Sequence, residues 1–430
     1  MITSFTVENF RSIDERIELS MEASAAIKDM DGRGYTSMGS HRVLNAMAFF
    51  GANSSGKTNV FKAIGRMRNL IIQSVRLNDG EVLDYDPFLL SDSTPRPTRF
   101  EISFIDGVDR FVYGFSYLQD RIEEEWLEQK SPRRSWKTLL NRSRTGIIID
   151  DLYFSEGSSI HTGGIPLNDN RLFISLAAQL GGEISKRVIE WFRTQLNVIS
   201  GLRDNRFSGV TKEMIHSNSE YRDDIIKLIG SMDLGFNEVK TEQENLNEMT
   251  LPKGLPPELV VSLRGQLFIT AYSKHMKYDS DGNVVGIAEF DIDERESDGT
   301  KKLFSLAGPI VDTLRKGKTL FIDELDAQLH PLLARRIVDI FNNYQTNPNG
   351  AQLIFTSHDT NLLSNKLLRR DQIIFVKKDQ YAKTHLTPMM SIKMENGAKP
   401  RTDSNYEKNY LEGRYEAIPS FQGLIDLIDV

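Results

Sequence analysis

A phosphate-binding loop is the strongest chemical signal in the sequence. The pattern G-x-x-x-x-G-K-[ST] is met at every fixed position between Gly51 and Thr58. The two glycines let the backbone curl, so that successive N–H groups face one anion at the positive end of the following helix. Lys57 is expected to reach the β- and γ-phosphates of a nucleotide, and the Thr58 hydroxyl to bind Mg²⁺. The predicted cofactor-binding residues of this loop are Gly51, Ala52, Asn53, Ser54, Ser55, Gly56, Lys57, Thr58 and Asn59.

The residues on either side of the loop have the pattern that such a site requires. The apolar run at 43–50 predicts a buried strand, and residues 59–64 predict the start of a helix that continues to residue 75. A glycine-rich loop with a lysine can arise by chance. The strand–loop–helix order makes that explanation weak, so we predict a phosphate site here.

A pair of acidic residues ends a second apolar strand, predicted at residues 319–324. In nucleotide hydrolases, an acid in the position of Asp323 holds Mg²⁺, often through water, and one in the position of Glu324 polarises the attacking water. A buried strand that ends in Asp-Glu is common by itself. Together with a complete phosphate loop, it becomes a strong indication of nucleotide hydrolysis.

The spacing of the motifs distinguishes between classes of nucleotide hydrolase. Asp323 lies 266 residues after Lys57, whereas only a few elements separate the two motifs in a compact AAA+ module. His358 follows Asp323 by 35 residues, directly after the next predicted strand, and Ser297 precedes Asp323 by 26 residues at the start of a helix. This order resembles that of the ABC-type ATPases: phosphate loop, long insert, signature serine–glycine turn, acidic strand and switch histidine.

Within that class, the motifs resemble the RecF/OLD-like branch, in particular its stand-alone AAA-family ATP-binding proteins of bacterial phage-defence (abortive-infection-like) systems. The stretches that carry the resemblance are V-E-N-F-R-S at 7–12, G-A-N-S-S-G-K-T-N at 51–59, E-S-D-G-T at 296–300, I-D-E-L-D-A-Q-L-H-P at 322–331, T-S-H-D at 356–359 and Y-L-E-G-R-Y at 410–415. The resemblance implies an ATPase that uses ATP and Mg²⁺. It implies Glu324 and His358 as catalytic residues, Thr58 and Asp323 as metal ligands, and Arg11, Ser297 and Gly299 as further cofactor-binding residues.

The signature turn departs from the L-S-G-G-Q form of the class. Glu296, Asp298 and Thr300 replace the leucine, the first glycine and the glutamine, while Ser297 and Gly299 remain. The resemblance still implies contact between Ser297 and the γ-phosphate, and Asp298 places a negative charge beside that polyanion. The segment 86–88 is a candidate Q-loop. His330 resembles a residue of the D-loop that packs at a helix start, so His358 is the better candidate for the γ-phosphate sensor.

The pattern of the chain predicts an α/β fold: an ABC-type ATPase core with a mixed sheet and an antiparallel β lobe, plus a compact helical insert. Residues 1–165 are predicted to form the N-terminal part of the ATPase, 166–258 the helical insert and 259–430 the C-terminal part. The alternating segments 2–10, 13–19, 99–105, 111–117 and 121–128 predict antiparallel strands. We expect a loop at 241–258, a strand at 259–270 and a short helix at 417–430.

Composition limits the possible classes of function. The chain has 430 residues, no cysteine and a net charge of −7, which excludes disulfides, thiolate zinc sites and a global basic field. No apolar run is long enough to span a bilayer, so we expect a cytoplasmic protein without membrane contact. No Asp-x-Asp follows His358, so a built-in TOPRIM nuclease, as found in OLD-type proteins, is not expected.

A basic stretch at 131–137, followed by Arg142 and Arg144, has two interpretations. With Trp136 it could grip a nucleic-acid backbone and stack on a base. Because acidic residues surround it in the sequence, a solvated hairpin tip is the favoured interpretation.

Two functional hypotheses follow. In the first, ATP binding and slow hydrolysis regulate a separate effector protein, a TOPRIM-like or other nuclease or a toxin, in antiphage defence. In the second, the protein acts directly on DNA, as RecF and SMC-like repair ATPases do. The acidic composition and the absence of a heptad repeat favour the first. In either case, we expect a homo-oligomer built from ATP-sandwich dimers, with nucleic acid as a possible further partner.

Overall fold

The computed structural model describes residues 1–91, 95–199, 206–217, 219–236, 238–245, 267–392 and 404–415. The chain divides into two compact units. The first comprises Met1–Gly201, Lys316–Asp326 and Ala334–Val430, and the second comprises Leu202–Arg315 and Ala327–Leu333.

The strands are, in chain order, β1 (Ile2–Glu8), β2 (Ile17–Ser20), β3 (Tyr35–Met38), β4 (His41–Leu44), β5 (Ala46–Phe50), β6 (Thr98–Asp106), β7 (Asp109–Tyr117), β8 (Ile122–Lys130), β9 (Lys137–Ser143), β10 (Gly146–Ile149), β11 (Leu196–Ile199), β12 (Val239–Asn245), β13 (Leu267–Tyr278), β14 (Val284–Asp291), β15 (Thr319–Ile322), β16 (Gln352–Thr356), β17 (Ile373–Lys378) and β18 (Thr384–Pro388). The α-helices are α1 (Lys57–Gln73), α2 (Ser155–Thr162), α3 (Phe173–Gln179), α4 (Glu183–Thr194), α5 (Arg206–Ser217), α6 (Ser219–Gly230), α7 (Ile292–Arg295), α8 (Asp298–Lys316), α9 (Pro331–Asn342) and α10 (Tyr406–Leu411).

A seven-stranded antiparallel sheet forms one layer of the first unit. Its strand order is β10-β9-β8-β7-β6-β1-β2, so the consecutive strands β6 to β10 form a meander. Aromatic residues of β6 and β7 fill its inner face, where Phe104 stacks on Trp191 of α4 with ring centroids 3.9 Å apart. The predicted antiparallel β lobe is therefore confirmed.

A six-stranded mixed sheet forms the second layer, with the order β11-β15-β16-β5-β17-β18. All neighbouring pairs are parallel except β17 and β18. The central strands β5, β15 and β16 are buried at every position, because a parallel sheet is covered on both faces. Since the carboxyl ends of these strands meet at one edge, the loops that follow β5, β15 and β16 lie together there.

The second unit combines helices with a three-stranded antiparallel sheet of order β12-β13-β14. Its core contains Ile215 of α5, Ile225 and Ile229 of α6, and Phe304 and Ala307 of α8. These apolar residues recur at helical spacing, so each helix presents one stripe to a common core.

Some elements differ from their predictions. Residues 241–245 are part of β12 and not of a loop; seven backbone pairings with β13 outweigh their polar composition. Helices α3 and α4 lie in the first unit, where α4 packs against α1, although residues 166–258 were predicted to form a helical insert. Of the predicted strand at 259–270, residues 267–270 are part of β13 and residues 259–266 lie outside the described residues. The predicted helix at 417–430 also lies outside them.

Candidate functional site

The phosphate loop connects β5 to α1 and has a backbone that only particular residues tolerate. Gly56 has φ +104°, in the left-handed region where a Cβ is strained. A Cβ on Gly51 would lie 2.2 Å from the carbonyl oxygen of Val376, so this position admits glycine alone. Ser54 also has a positive φ, +62°. The loop therefore has the curled backbone that the motif predicts.

The N-terminus of α1 is open to a ligand. Its N-cap residue is Gly56, no side chain caps the helix, and its first turn contains no acid. The Ser55 hydroxyl is buried and has no hydrogen-bond partner among the described residues. Because uncapped N–H groups and the helix dipole favour an anion, this end of α1 fits a phosphate group.

Lys57 lies in the curl of the loop. Its ammonium group donates to the carbonyl oxygens of Gly51 at 2.8 Å and Ala52 at 3.0 Å. Burial lowers the pKa of Lys57 to about 8, although the carboxylates of Asp323 and Glu324 oppose this shift. The lysine is thus a poorly solvated cation whose charge a bound phosphate would stabilise.

The acid pair follows β15, beside the end of β16. Asp323 is buried, and it accepts a hydrogen bond from the hydroxyl of Thr356 at 2.7 Å. The same hydroxyl accepts the N–H of Glu324, also at 2.7 Å. Glu324 has φ +55°, a backbone conformation that is costly for a residue with a Cβ and that tends to occur at functional sites. Thr356 therefore organises both acids.

One cavity of about 380 Å³ brings these groups together within the first unit. Its lining residues are Asn53, Ser54, Ser55, Gly56, Lys57, Thr58, Asn59, Asp323, Glu324, Thr356, His358 and Lys378. Two of these lining residues, Thr356 and Lys378, are not among the predicted site residues. Thr356 is the first residue of the T-S-H-D stretch at 356–359, whereas no motif marks Lys378.

His358 borders the cavity directly after β16. Its backbone N–H donates to the carboxylate of Asp326 at 3.2 Å, which holds the loop in place. The pKa of His358 is lowered, mainly by partial desolvation and also by the nearby charge of Lys57. The neighbouring carboxylates oppose this shift without reversing it. His330, by contrast, accepts the N–H of Leu332 with its Nδ1 atom at the start of α9.

Arg11 lines a neighbouring cavity of about 370 Å³. Its guanidinium lies 2.6 Å from Asp86, the first residue of the candidate Q-loop. The two cavities have Asn59 and Lys378 in common. A ligand that extends from the phosphate loop into this second cavity would therefore pass Asn59 and Lys378.

The signature turn belongs to the second unit, whereas the other predicted site residues belong to the first. The hydroxyl of Ser297 accepts the N–H of Thr300 at 3.2 Å and lies 2.9 Å from the Thr300 hydroxyl. A Cβ on Gly299 would lie 2.8 Å from the carbonyl oxygen of Gln328, so the glycine is needed for packing. Within one chain, Ser297 thus caps α8 with its own side chain.

The site residues fit a Mg²⁺ ion shared with a bound nucleotide better than a metal ion held by protein ligands alone. Among the described residues, no group of three or more His, Cys, Asp or Glu side chains could hold a metal ion. Mg²⁺ is usually bound by one or two protein oxygens together with substrate phosphates. The Thr58 hydroxyl and the Asp323 carboxylate, both lining the cavity, match that donor set.

The family comparison covers most of the chain. Residues 46–364 match the family described as "AAA domain, putative AbiEii toxin, Type IV TA system". No curated protein matches the chain. Within the described part of the chain, no helix has both the length and the apolar character needed to cross a membrane.

Several solved structures are similar to the chain. An Smc head bound to the C-terminal winged-helix domain of ScpA is 15% identical, with a TM-score of 0.38 and coverage of 90% of this chain and 96% of that chain. An Smc head with an extended coiled coil, bound to the ScpA C-terminal domain derived from Pyrococcus furiosus, is 12% identical, with a TM-score of 0.36 and coverage of 90% and 95%. The recombination mediator RecF with ATP is 10% identical, with a TM-score of 0.30 and coverage of 90% and 97%.

Proposed function

Because the chain belongs to this family of AAA-domain proteins, we propose that it is an ABC-type ATPase that binds and hydrolyses Mg²⁺-ATP to regulate a separate effector in antiphage defence. The observation that carries the ATPase part is the single cavity that joins the phosphate loop to Asp323, Glu324 and His358. The family description names a toxin of a type IV toxin–antitoxin system, which supports a role in such a system. That the effector is a separate protein, a toxin or a nuclease, is part of the proposal.

The proposed chemistry assigns one role to each side chain. Lys57 and the open end of α1 bind the β- and γ-phosphates. Glu324 orients the attacking water and accepts its proton, and His358 contacts the γ-phosphate. Bound Mg²⁺, held by Thr58 and Asp323, would neutralise charge on the phosphates. Thr356 keeps Asp323 and Glu324 in place through its hydroxyl group.

The proposed assembly is a homo-oligomer of ATP-sandwich dimers. In the ABC class, the signature turn of a second subunit closes the γ-phosphate side. We therefore propose composite sites in which Lys57 of one chain faces Ser297 and Gly299 of another. Lys301 and Lys302, which follow the turn, could offset the charge of Asp298.

Mixed subunits test this assembly. Lys57→Ala and Ser297→Arg should each inactivate ATP turnover when the variant is alone. In a mixed dimer, one site carries both defects and the other has both halves intact, so turnover should partly return. A mixture that co-assembles, as shown by tagged subunits, but stays inactive would contradict composite sites.

The effector hypothesis is tested separately from ATP hydrolysis. The purified chain should hydrolyse ATP at a rate that DNA does not change. The activity of the effector, tested as the product of an adjacent gene, should change when the chain and ATP are both added. DNA-stimulated turnover would instead favour the second hypothesis, a DNA-binding repair ATPase.

The basic stretch gives that second hypothesis little support. Arg142 is buried and bonds to the carbonyl oxygen of Arg171 at 2.6 Å, beside the carboxylate of Glu125. Arg144 pairs with Glu123 at 4.0 Å, and Trp136 lies under the guanidinium of Arg110. Intramolecular partners thus engage Arg142 and Arg144, whereas Arg133 and Arg134 at the hairpin tip are exposed.

A further inference from the structure

We propose that the hairpin of β17 and β18 is part of the nucleotide site, with Lys378 as a contact to the phosphate chain and Thr384 as a positioning residue for the phosphate loop. The inference rests on the proposed binding of ATP and extends it to residues that no motif marks. Strands β17 and β18 and the loop belong to the same compact unit.

Thr384 connects the hairpin to two other segments. Its side chain is buried, and its hydroxyl donates to the carbonyl oxygen of Ser55 at 3.1 Å. The same hydroxyl lies 2.7 Å from the hydroxyl of Ser12, and the N–H of Thr384 donates to the carbonyl oxygen of Ser12 at 2.8 Å. Asn59 completes the connection, because its amide donates to the Ser12 hydroxyl at 2.6 Å.

The hairpin also packs directly against both glycines of the loop. A Cβ on Gly56 would lie 2.1 Å from the hydroxyl oxygen of Thr384, and a Cβ on Gly51 would lie 2.2 Å from the carbonyl oxygen of Val376. These contacts leave the loop little room to relax. Since the loop binds through its backbone N–H groups, a hairpin that holds its curl preorganises the phosphate site.

Lys378 is placed to contact the ligand itself. It is paired with Thr384 across the hairpin, and directly opposed residues of an antiparallel pair lie on the same face. The side chain is exposed and lines both cavities. Because Lys57 serves the β- and γ-phosphates, a second cation at the passage between the cavities fits the α-phosphate of a nucleotide.

The binding test compares two exposed lysines. Lys378→Gln should weaken the binding of ATP and of ADP by the same factor, about 10-fold. Both nucleotides have the α-phosphate, and both lose one charge-assisted hydrogen bond. Lys366→Gln, an exposed lysine that lines neither cavity, is the control and should bind as the wild type. Dissociation constants from calorimetry with Mg²⁺ within twofold of the wild type for Lys378→Gln would overturn the assigned contact.

The positioning test uses the hydroxyl of Thr384. Thr384→Val keeps the shape of the side chain, and we expect KM for ATP to rise about 10-fold while kcat stays within about threefold of the wild type. Thr384→Ser should restore KM because it keeps the hydroxyl. An unchanged KM in Thr384→Val, or an equal rise in Thr384→Ser, would overturn the role of this hydroxyl. If the wild-type chain binds ATP but these variants behave like the wild type, only the role of the hairpin is overturned. If the wild-type chain binds no ATP, the proposed function itself is overturned.

Discussion

Two helices of this protein begin at motifs associated with the same phosphate group, but their N-termini differ. Helix α1 starts after Gly56, has no side-chain cap and has no acid in its first turn. Helix α8 starts after Ser297, whose hydroxyl accepts the N–H of Thr300, and its first turn contains Asp298. Both helices have a positive N-terminal end, but only α1 leaves that end free for an anion.

The two halves of the proposed ATP sandwich are therefore unequal. The phosphate-loop half has its donors, its cation and its acids around one cavity in a single chain. The signature half uses its serine for its own helix and adds a negative charge. We therefore expect substitutions around the phosphate loop to affect ATP chemistry strongly, and substitutions at Ser297 to affect both assembly and local stability.

The largest effect is expected for the acid that follows β15. Glu324→Gln should keep ATP binding but slow hydrolysis by about 10²–10⁴-fold, since the proton acceptor for water is lost. Single-turnover measurements with Mg²⁺-ATP test this, with binding measured in parallel as the internal control. Turnover at the wild-type rate would place the water-activating group elsewhere.

His358→Ala should show a similar phenotype through loss of contact with the γ-phosphate. His330→Ala is the matched control, because His330 bonds to the start of α9 and should leave hydrolysis unchanged. A slower rate in His330→Ala together with a normal rate in His358→Ala would reverse the two assignments.

The next effect concerns binding. Lys57→Ala should weaken ATP binding by at least about 100-fold, because the phosphates lose a charge-assisted partner that is buried in the loop. Lys62→Ala, an exposed lysine of the same helix, is the control and should bind normally. Calorimetry with Mg²⁺ measures both, and wild-type affinity in Lys57→Ala would contradict the site.

The pH dependence of binding follows from the lowered pKa of Lys57, about 8 in the ligand-free chain. Bound phosphates stabilise the charged form and raise this pKa, so ATP binding takes up a proton above pH 8. Above about pH 8, the ATP dissociation constant should therefore rise with pH by up to tenfold per pH unit. Just below about pH 7.5, it should not depend on pH. Lys57→Arg should abolish this rise because arginine stays charged, and a flat wild-type profile up to pH 9.5 would contradict the coupling.

The smallest effect is expected at the signature turn. Ser297→Ala removes the cap of α8 and should lower the free energy of unfolding of the second unit by about 1 kcal/mol. Ser297→Asp, which can still cap the helix, should retain the stability. Denaturant unfolding of both variants tests this, and equal stability of Ser297→Ala and the wild type would show that the cap contributes nothing.

Elements with local signals can be predicted from the sequence alone. Gly51, Gly56 and Lys57 lie within seven positions of one another and between a strand and a helix, so their pattern predicts both backbone and chemistry. The apolar strands that end at Asp323 and precede His358 are equally local. The α/β class and the meander of the β lobe followed from periodicity, because each strand pairs with its neighbour in sequence.

The distant residues that support this site are identified by the three-dimensional fold and not by any local pattern. Thr384 bonds to Ser55 across 329 positions, and the Thr356 hydroxyl reaches Asp323 from the neighbouring strand. Strand β12 also forms against its local composition, because β13 supplies its backbone partners. A hydroxyl or an exposed lysine has no periodicity of its own. Its role depends on which elements the sheet order brings together, and that order is a property of the whole fold.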